Sequence, residues 1–128
     1  MIRRKPLIAV VLVGGALAFG IGALWHSQTA PTPFDRTNWL QGALAKSSSD
    51  APRLRMADGL VGSKVLLGMS HAEIEAMLGP PTVTNTYRAY GLVYWLGPER
   101  GLMSIDNEWL AFRFDKDNKS IEAEVLRD

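Results

Sequence analysis

Nothing constrains this chain more than the uncharged block Pro6 to Trp25, PLIAVVLVGGALAFGIGALW, which follows Arg3, Arg4 and Lys5. Twenty residues of helix rise roughly 30 Å, the thickness of a bilayer's hydrocarbon core. Basic residues ahead of such a segment stay in the cytoplasm, so the expected topology is a single pass, N-terminus in and C-terminus out. Trp25 stands where an interfacial aromatic anchor would. The rival is a cleaved signal peptide, whose apolar core is ordinarily shorter and ends in a small-x-small site. Ala30 is the best small residue, but Gln28 lies two positions before it and Pro31 follows it, both adverse to cleavage. The expectation is a transmembrane anchor or signal segment over 1–26, with 6–25 in the lipid bilayer of the inner (cytoplasmic) membrane and the C-terminal domain extracytoplasmic. The alternative is a secreted or periplasmic chain after cleavage. Gly14, Ala18 and Gly22 form a small-residue stripe, which signal-type segments commonly carry.

Charge is split along the chain. Of 14 basic residues three precede the apolar block, leaving 11 against 13 acidic ones, a distal net charge of −2 (11 − 13). That balance, with no basic stripe, disfavours nucleic acid. Cysteine is absent, which excludes disulfides, zinc-thiolate sites and a lipid-modified cysteine. The distal domain must therefore be held by its packed core, which a length of roughly 95 residues allows.

Beyond the apolar block the chain divides into a linker and partly helical stalk over 27–50 and a domain over 51–128. SQTAPTP (27–33) is polar and broken by proline. A helix is expected over Phe34 to Lys46, carrying Phe34, Trp39, Leu40 and Ala43. Ser47, Ser48 and Ser49 interrupt it, and Asp50 is placed to cap a second helix over Ala51 to Leu60. Ser70-His71-Ala72-Glu73 reads as a capping box, with Met69 and Ile74 at the positions of a hydrophobic staple. Ile74, Met77 and Leu78 supply the buried face; Gly79 should end the helix in the αL conformation, and Pro80-Pro81 forbids continuation.

From Thr82 the period changes to two. Thr82 to Tyr90 reads as a strand, Leu92 to Leu96 as its continuation after a bend at Gly91 or as a second strand, and Gly97 to Asn107 as a loop. In Glu108 to Phe114, Leu110, Phe112 and Phe114 alternate with Trp109, Ala111 and Arg113. Asp115 to Lys119 forms a hairpin turn, and Ile121, Ala123 and Val125 then alternate with Glu122 and Glu124. Helices followed by an antiparallel meander predict an α+β, two-layer ααβββ sandwich, with helices packed on a three-stranded sheet.

No catalytic, cofactor or metal site is expected. His26 and His71 are too far apart in the chain to suggest a shared metal, and His71 in a first helical turn reads as a solvated residue. The run Asp115 to Lys119 starts like a calcium loop, but Lys119 and Ser120 occupy positions that need a ligand and a glycine, and Arg127 lies near where the last glutamate should be. Glu99, Asp106 and Glu108 are the only basis for a small carboxylate hydrolase. Trp95, Trp109, Tyr87, Tyr90 and Tyr94 make the sheet region aromatic; such residues anchor interfaces, but the favoured reading is that most of them pack under the helices or cover the sheet edge. The expected partner-contacting residues are Trp109, the best candidate for exposure, with Trp95, Tyr94 and Arg100 of the loop Gly97 to Gly101.

LLGMSHAEIEAMLGPPT and the later EWLAFRFDKDNKSIEAEVLRD resemble the SmpA/OmlA (BamE-like) superfamily, over roughly Leu54 to Val125. The matching positions are Gly68, Ser70, Leu78, Gly79 and Pro80, with Glu73 completing the cap, and their roles are structural. The resemblance implies an ααβββ domain of the bacterial cell envelope that binds other proteins without catalysis. This chain would form a branch lacking the lipobox cysteine, which takes outer-membrane assembly out of the direct inference. The reading is a non-enzymatic, membrane-anchored, extracytoplasmic domain with an envelope protein partner, met at a sheet edge or the aromatic face, and with no small-molecule substrate. An exported inhibitor-like module of a secreted enzyme is the alternative.

Overall fold

The computed structural model describes residues 30–101 and 105–128, and Pro31–Asp128 form one compact unit. The apolar block over 6–25 lies outside the described residues, and among those described no helix is long and apolar enough to cross a membrane.

The first helix, α1 (Arg36–Gln41), starts where the Asp35 carboxylate accepts the Asn38 N–H at 3.2 Å, and it runs on into a 3-10 turn, Gly42–Leu44. Trp39 projects from it into the centre of the core, fully buried, and its indole N–H donates to the Leu78 carbonyl at 2.9 Å. The stalk assigned to 27–50 is thereby corrected: from Pro31 onward this stretch is part of the domain. A tryptophan's buried area outweighs the local polarity of the serines that follow it.

The second helix, α2 (Pro52–Ser63), is longer than the expected one and is not capped by Asp50. Asp50 closes a separate 3-10 turn, Ser48–Asp50, and Pro52 opens the helix at a position whose N–H would have no helical partner anyway. The third helix, α3 (His71–Leu78), carries the complete capping box: the Glu73 N–H donates to Ser70 Oγ at 3.2 Å, and the Ser70 N–H donates to the Glu73 carboxylate at 3.1 Å. The bonds from the Ser70 backbone and side chain hold the Glu73 carboxyl below its ordinary range. Met69 packs against the core cluster that contains Ile74, as a staple requires. Gly79 does stop the helix, but not in the αL conformation: its φ of 81° and ψ of −169° fall in a region that only glycine enters readily.

Three strands form an antiparallel meander in sequence order: β1 (Leu92–Pro98), β2 (Asn107–Phe114) and β3 (Ser120–Arg127). The turn between β2 and β3 has Asn118 at φ 60°, while Asp115 Oδ1 accepts the N–H groups of Asp117 and Lys119. The α+β expectation holds, and the helix expected over Phe34 to Lys46 joins the two of the ααβββ unit in the domain, as α1. Leu92, Tyr94, Leu96, Leu110 and Phe112 face the helices and join Trp39, Leu54, Ile74 and Leu78 in one core.

Thr82 to Tyr90 is not a strand. Pro80 and Pro81 deliver it in extended form only as far as Thr82, after which it turns through Tyr87, at φ 59°. Its aromatic residues cross the sheet's other face, where Tyr87 and Tyr90 pack against a cluster of Val93, Trp109 and Ala111. Aromatic and β-branched residues served packing here, not pairing.

Candidate functional site

A three-stranded meander has two outer edges, and an outer edge exposes backbone groups that invite another strand. Alternation decides which groups these are. Thr82 N–H donates to the Val93 carbonyl at 2.9 Å, so Val93 and Trp95 turn their backbone groups outward from β1. The Trp95 N–H in turn donates to Thr82 Oγ1 at 2.8 Å, and the Trp95 carbonyl accepts from Arg53 Nη1 at 2.9 Å. These three bonds occupy the Val93 carbonyl and both backbone groups of Trp95 on the β1 edge.

The β3 edge differs. Its first residue is covered: the Gly68 N–H donates to the Ser120 carbonyl, the Ser120 N–H donates to the Met69 carbonyl (both 2.8 Å), and Ser120 Oγ donates to the Leu66 carbonyl. Beyond it the Asp128 N–H bonds back to Asn107 of β2 at 3.3 Å, so even-numbered residues of β3 face β2 and Ala123, Val125 and Arg127 face outward. Among the described residues no segment bonds to the outward backbone groups of Ala123 and Val125. Beside them runs a largely apolar groove of about 260 Å³ between β3 and the end of α2, lined by Leu60, Val61, Leu66, Leu67, Ile121 and Ala123, with Lys64 and Glu122 at its wall. Leu67 and Ile121 are 42% and 59% exposed, a cost in water that a covering segment would remove. On the sheet's opposite face stand Glu122, paired with Arg113 at 3.1 Å, and Glu124, which accepts the Tyr90 hydroxyl at 2.5 Å.

The residues expected to contact a partner lie elsewhere. Trp109 is 7% exposed, covered by Tyr87 and Leu126, with its indole N–H donating to Asp128 at 3.2 Å. The alternation that set it opposite Leu110 and Phe112 is real; what covers it is the strap read as a strand. Tyr94 is fully buried and donates its hydroxyl to the Gly79 carbonyl at 2.8 Å; burial, with the nearby Glu75 charge, raises its phenol above the ordinary range. Trp95 is half-buried, its indole N–H donating to Asn107 at 2.9 Å. Trp109 and Tyr94 are thereby packing residues rather than surface anchors, while Trp95 keeps a partly exposed face. Ser70 and Glu73 form the cap of α3, Leu78 is buried, and Gly79 ends the helix in a conformation other than the αL one expected.

Arg100 is not a free loop side chain. It forms ion pairs with Asp58 of α2 at 2.5 Å and with Glu108 of β2 at 2.8 Å, and its backbone N–H also donates to Glu108. Glu108 is wholly buried. Burial alone would raise its carboxyl, but the Arg100 bonds and charge, with Arg127 at 3.6 Å, outweigh that and hold it below the ordinary range. Hydrogen bonds to Glu108, then to Asp58, hold the Arg100 guanidinium above its own range. This cluster ties the loop after β1 to α2 and β2. Both Glu108 oxygens are occupied by Arg100, so of the three loop carboxylates this one is committed to the fold. His71 is not solvated as expected but half-buried on the Phe114 ring, with centroids 4.0 Å apart. Among the described residues no three acidic or histidine side chains cluster as metal ligands would.

The open edge was within reach of the sequence: the last strand of a meander is always an outer strand, and 121–125 alternate well. What no local pattern could give is that Thr82 and Arg53 close the other edge. No family model, curated protein or solved structure matches this chain.

Proposed function

We propose that this chain is a non-catalytic, membrane-held, extracytoplasmic domain that binds another envelope protein by accepting an extended segment along β3. The observation that carries this reading is the contrast between edges: Thr82 and Arg53 cover β1 at Val93 and Trp95, while among the described residues the outward backbone groups of Ala123 and Val125 in β3 are unpaired, next to a largely apolar groove. Strand addition draws affinity from main-chain hydrogen bonds and specificity from alternate side chains. In the partner strand, residues over the groove would be apolar, and those on the other face would meet Glu122 and Glu124. Basic residues suit that face. The same two glutamates disfavour a second copy of this chain: antiparallel self-pairing centred on Ala123 sets Glu122 against Glu124, and centring on Glu124 sets that residue against itself. The uncharged N-terminal block supports the membrane-held part of the reading.

Ala123→Pro tests it. Its N–H points outward, so proline removes no bond of the sheet yet blocks an added strand. Partner recovery from crosslinked membranes should fall to background in this variant while the thermal transition stays close to that of the parent. Undiminished recovery would refute β3 as the contact.

A further inference from the structure

Arg53 is a buried cation without a counter-ion. It is 5% exposed, and among the described residues no carboxylate lies within ion-pair distance of it. Its bonds account for only part of the guanidinium: Nε donates to the Trp39 carbonyl at 2.6 Å, Nη1 donates to the Trp95 carbonyl at 2.9 Å, and the Trp39 ring lies 4.9 Å beneath. Nη2 has no protein acceptor among the described residues. Buried charges elsewhere in proteins are paired, because leaving one unpaired costs several kcal/mol. In this molecule Glu108, equally buried, has its partner in Arg100.

The unpaired guanidinium lines an open cavity of about 380 Å³, together with Leu40, Ala43, Pro80, Pro81, Thr82 and Trp95. Thr82 brings a second donor. Its Oγ1 accepts the Trp95 N–H, its hydroxyl proton has no protein acceptor among the described residues, and Arg53 binds the carbonyl of that same Trp95. One cation and one hydroxyl therefore flank a single backbone unit at the cavity wall. No carboxylate lines the cavity, and the rest of its wall is largely apolar.

We infer that this cavity is a binding site for a carboxylate group carried on an apolar body, with Arg53 supplying the charge and Thr82 a second hydrogen bond. Two donors match the two oxygens of a carboxylate; a phosphate, with three oxygens and more charge, would need further donors that the cavity lacks. The proline and leucine walls suit an apolar side chain next to that carboxylate. The site lies at the closed edge of the sheet and stands independently of strand addition at β3.

The test is an amide and arginine side-chain NMR titration of the full chain, held in non-ionic detergent, at constant ionic strength. Sodium acetate and N-acetyl-leucine replace sodium chloride in one series and sodium phosphate in another. Saturable shifts at Arg53 Nε–H, Thr82 and Trp95 are expected with the carboxylates, stronger with N-acetyl-leucine. Ala43 is an exposed residue on the cavity wall, so Ala43→Glu introduces a tethered carboxylate without disturbing the core. It should weaken binding by at least ~10-fold. Arg53→Gln should lose the response altogether, and Ala43→Glu keeps the test decisive if that variant does not fold. No saturable shift with either carboxylate, or equal affinity in Ala43→Glu, would overturn the site. Binding of phosphate in preference to carboxylate would overturn the ligand class.

Discussion

The two outer strands of this sheet have the same neighbour, β2, yet meet the solvent differently. β1 is buttressed by a threonine and an arginine delivered from distant parts of the chain, whereas among the described residues no segment bonds to the outward backbone groups of Ala123 and Val125 in β3. Unpaired strand edges are a liability that folds ordinarily remove, by charge, proline, bulges or cover. Cover protects β1, and the bulge between Arg113 and Phe114, with Gly68 to Ser70, protects only the start of β3. The remainder carries two glutamates on one face and an apolar groove on the other. That combination discourages self-pairing while leaving room for a chosen partner.

The largest effect should come from breaking the delivery of Thr82. Gly79 turns the chain out of α3 toward Pro80, Pro81 and Thr82, with φ 81°, and a Cβ there would sit 2.7 Å from the Leu40 side chain. Gly79→Val combines a glycine-only conformation with a clash and should cost about 3 kcal/mol or more. Loss of the cooperative thermal transition near ambient temperature would agree; an unchanged midpoint would mean that the turn is not what positions Thr82.

Next is the buried carboxylate that ties the β1–β2 loop to α2. Glu108→Gln leaves Arg100 with Asp58 alone, a pair about one-third exposed, and should cost about 2 kcal/mol in chemical denaturation. A pH signature goes with it. Because the folded Glu108 carboxyl is held below its unfolded value, its contribution is complete above the ordinary glutamate pKa, about 4.3, and fades as pH falls through the lower folded value. The parent should therefore lose stability more steeply than Glu108→Gln below about pH 4.3. Parallel profiles would remove Glu108 from the acid response.

Thr82→Val sharpens the comparison directly, since it unplugs β1 without altering the core. The Trp95 N–H loses its acceptor, at a cost of about 1 kcal/mol. The newly available edge should raise concentration-dependent self-association in sedimentation, which an already open edge would not do. Ala123→Pro should show the smallest stability change, less than about 1 kcal/mol by thermal unfolding, because it alters backbone groups that bond to nothing in the domain.

Much of this architecture could be read from local chemistry. The α3 cap is written in four residues, Ser70 to Glu73, and the β2–β3 hairpin in the alternation of 108–114 and 120–125 around Asp115 to Lys119. Both are decided by bonds between near neighbours. The failures share a cause of the other kind. Thr82 to Tyr90 has strand composition but, among the described residues, only one backbone bond to the sheet, and it turns away through Tyr87 to pack its aromatic rings on the sheet face. Trp39 stands in a stretch that reads as a stalk, and its burial depends on Leu78 and Tyr94 far along the chain. Trp109 was expected on the surface because alternation gives its face but not the strap that covers it. Arg100 looked like a presented loop residue because its partner Asp58 lies on another element, 42 positions away. The site at β3 could be anticipated as an outer strand; its distinction from β1 could not.

The central claim is that β3, not β1, is the edge used by a partner. Photo-crosslinking residues placed singly at Ile121, at Leu67 and at Val83 of the full chain in its native membrane test it most directly. Ile121 and Leu67 line the β3 groove, whereas Val83, fully exposed, follows Thr82 on the β1 side. The account predicts one common crosslinked species from Ile121 and Leu67, abolished by Ala123→Pro, and none from Val83. A species formed from Val83 alone, or one from Ile121 that persists in the proline variant, would contradict it.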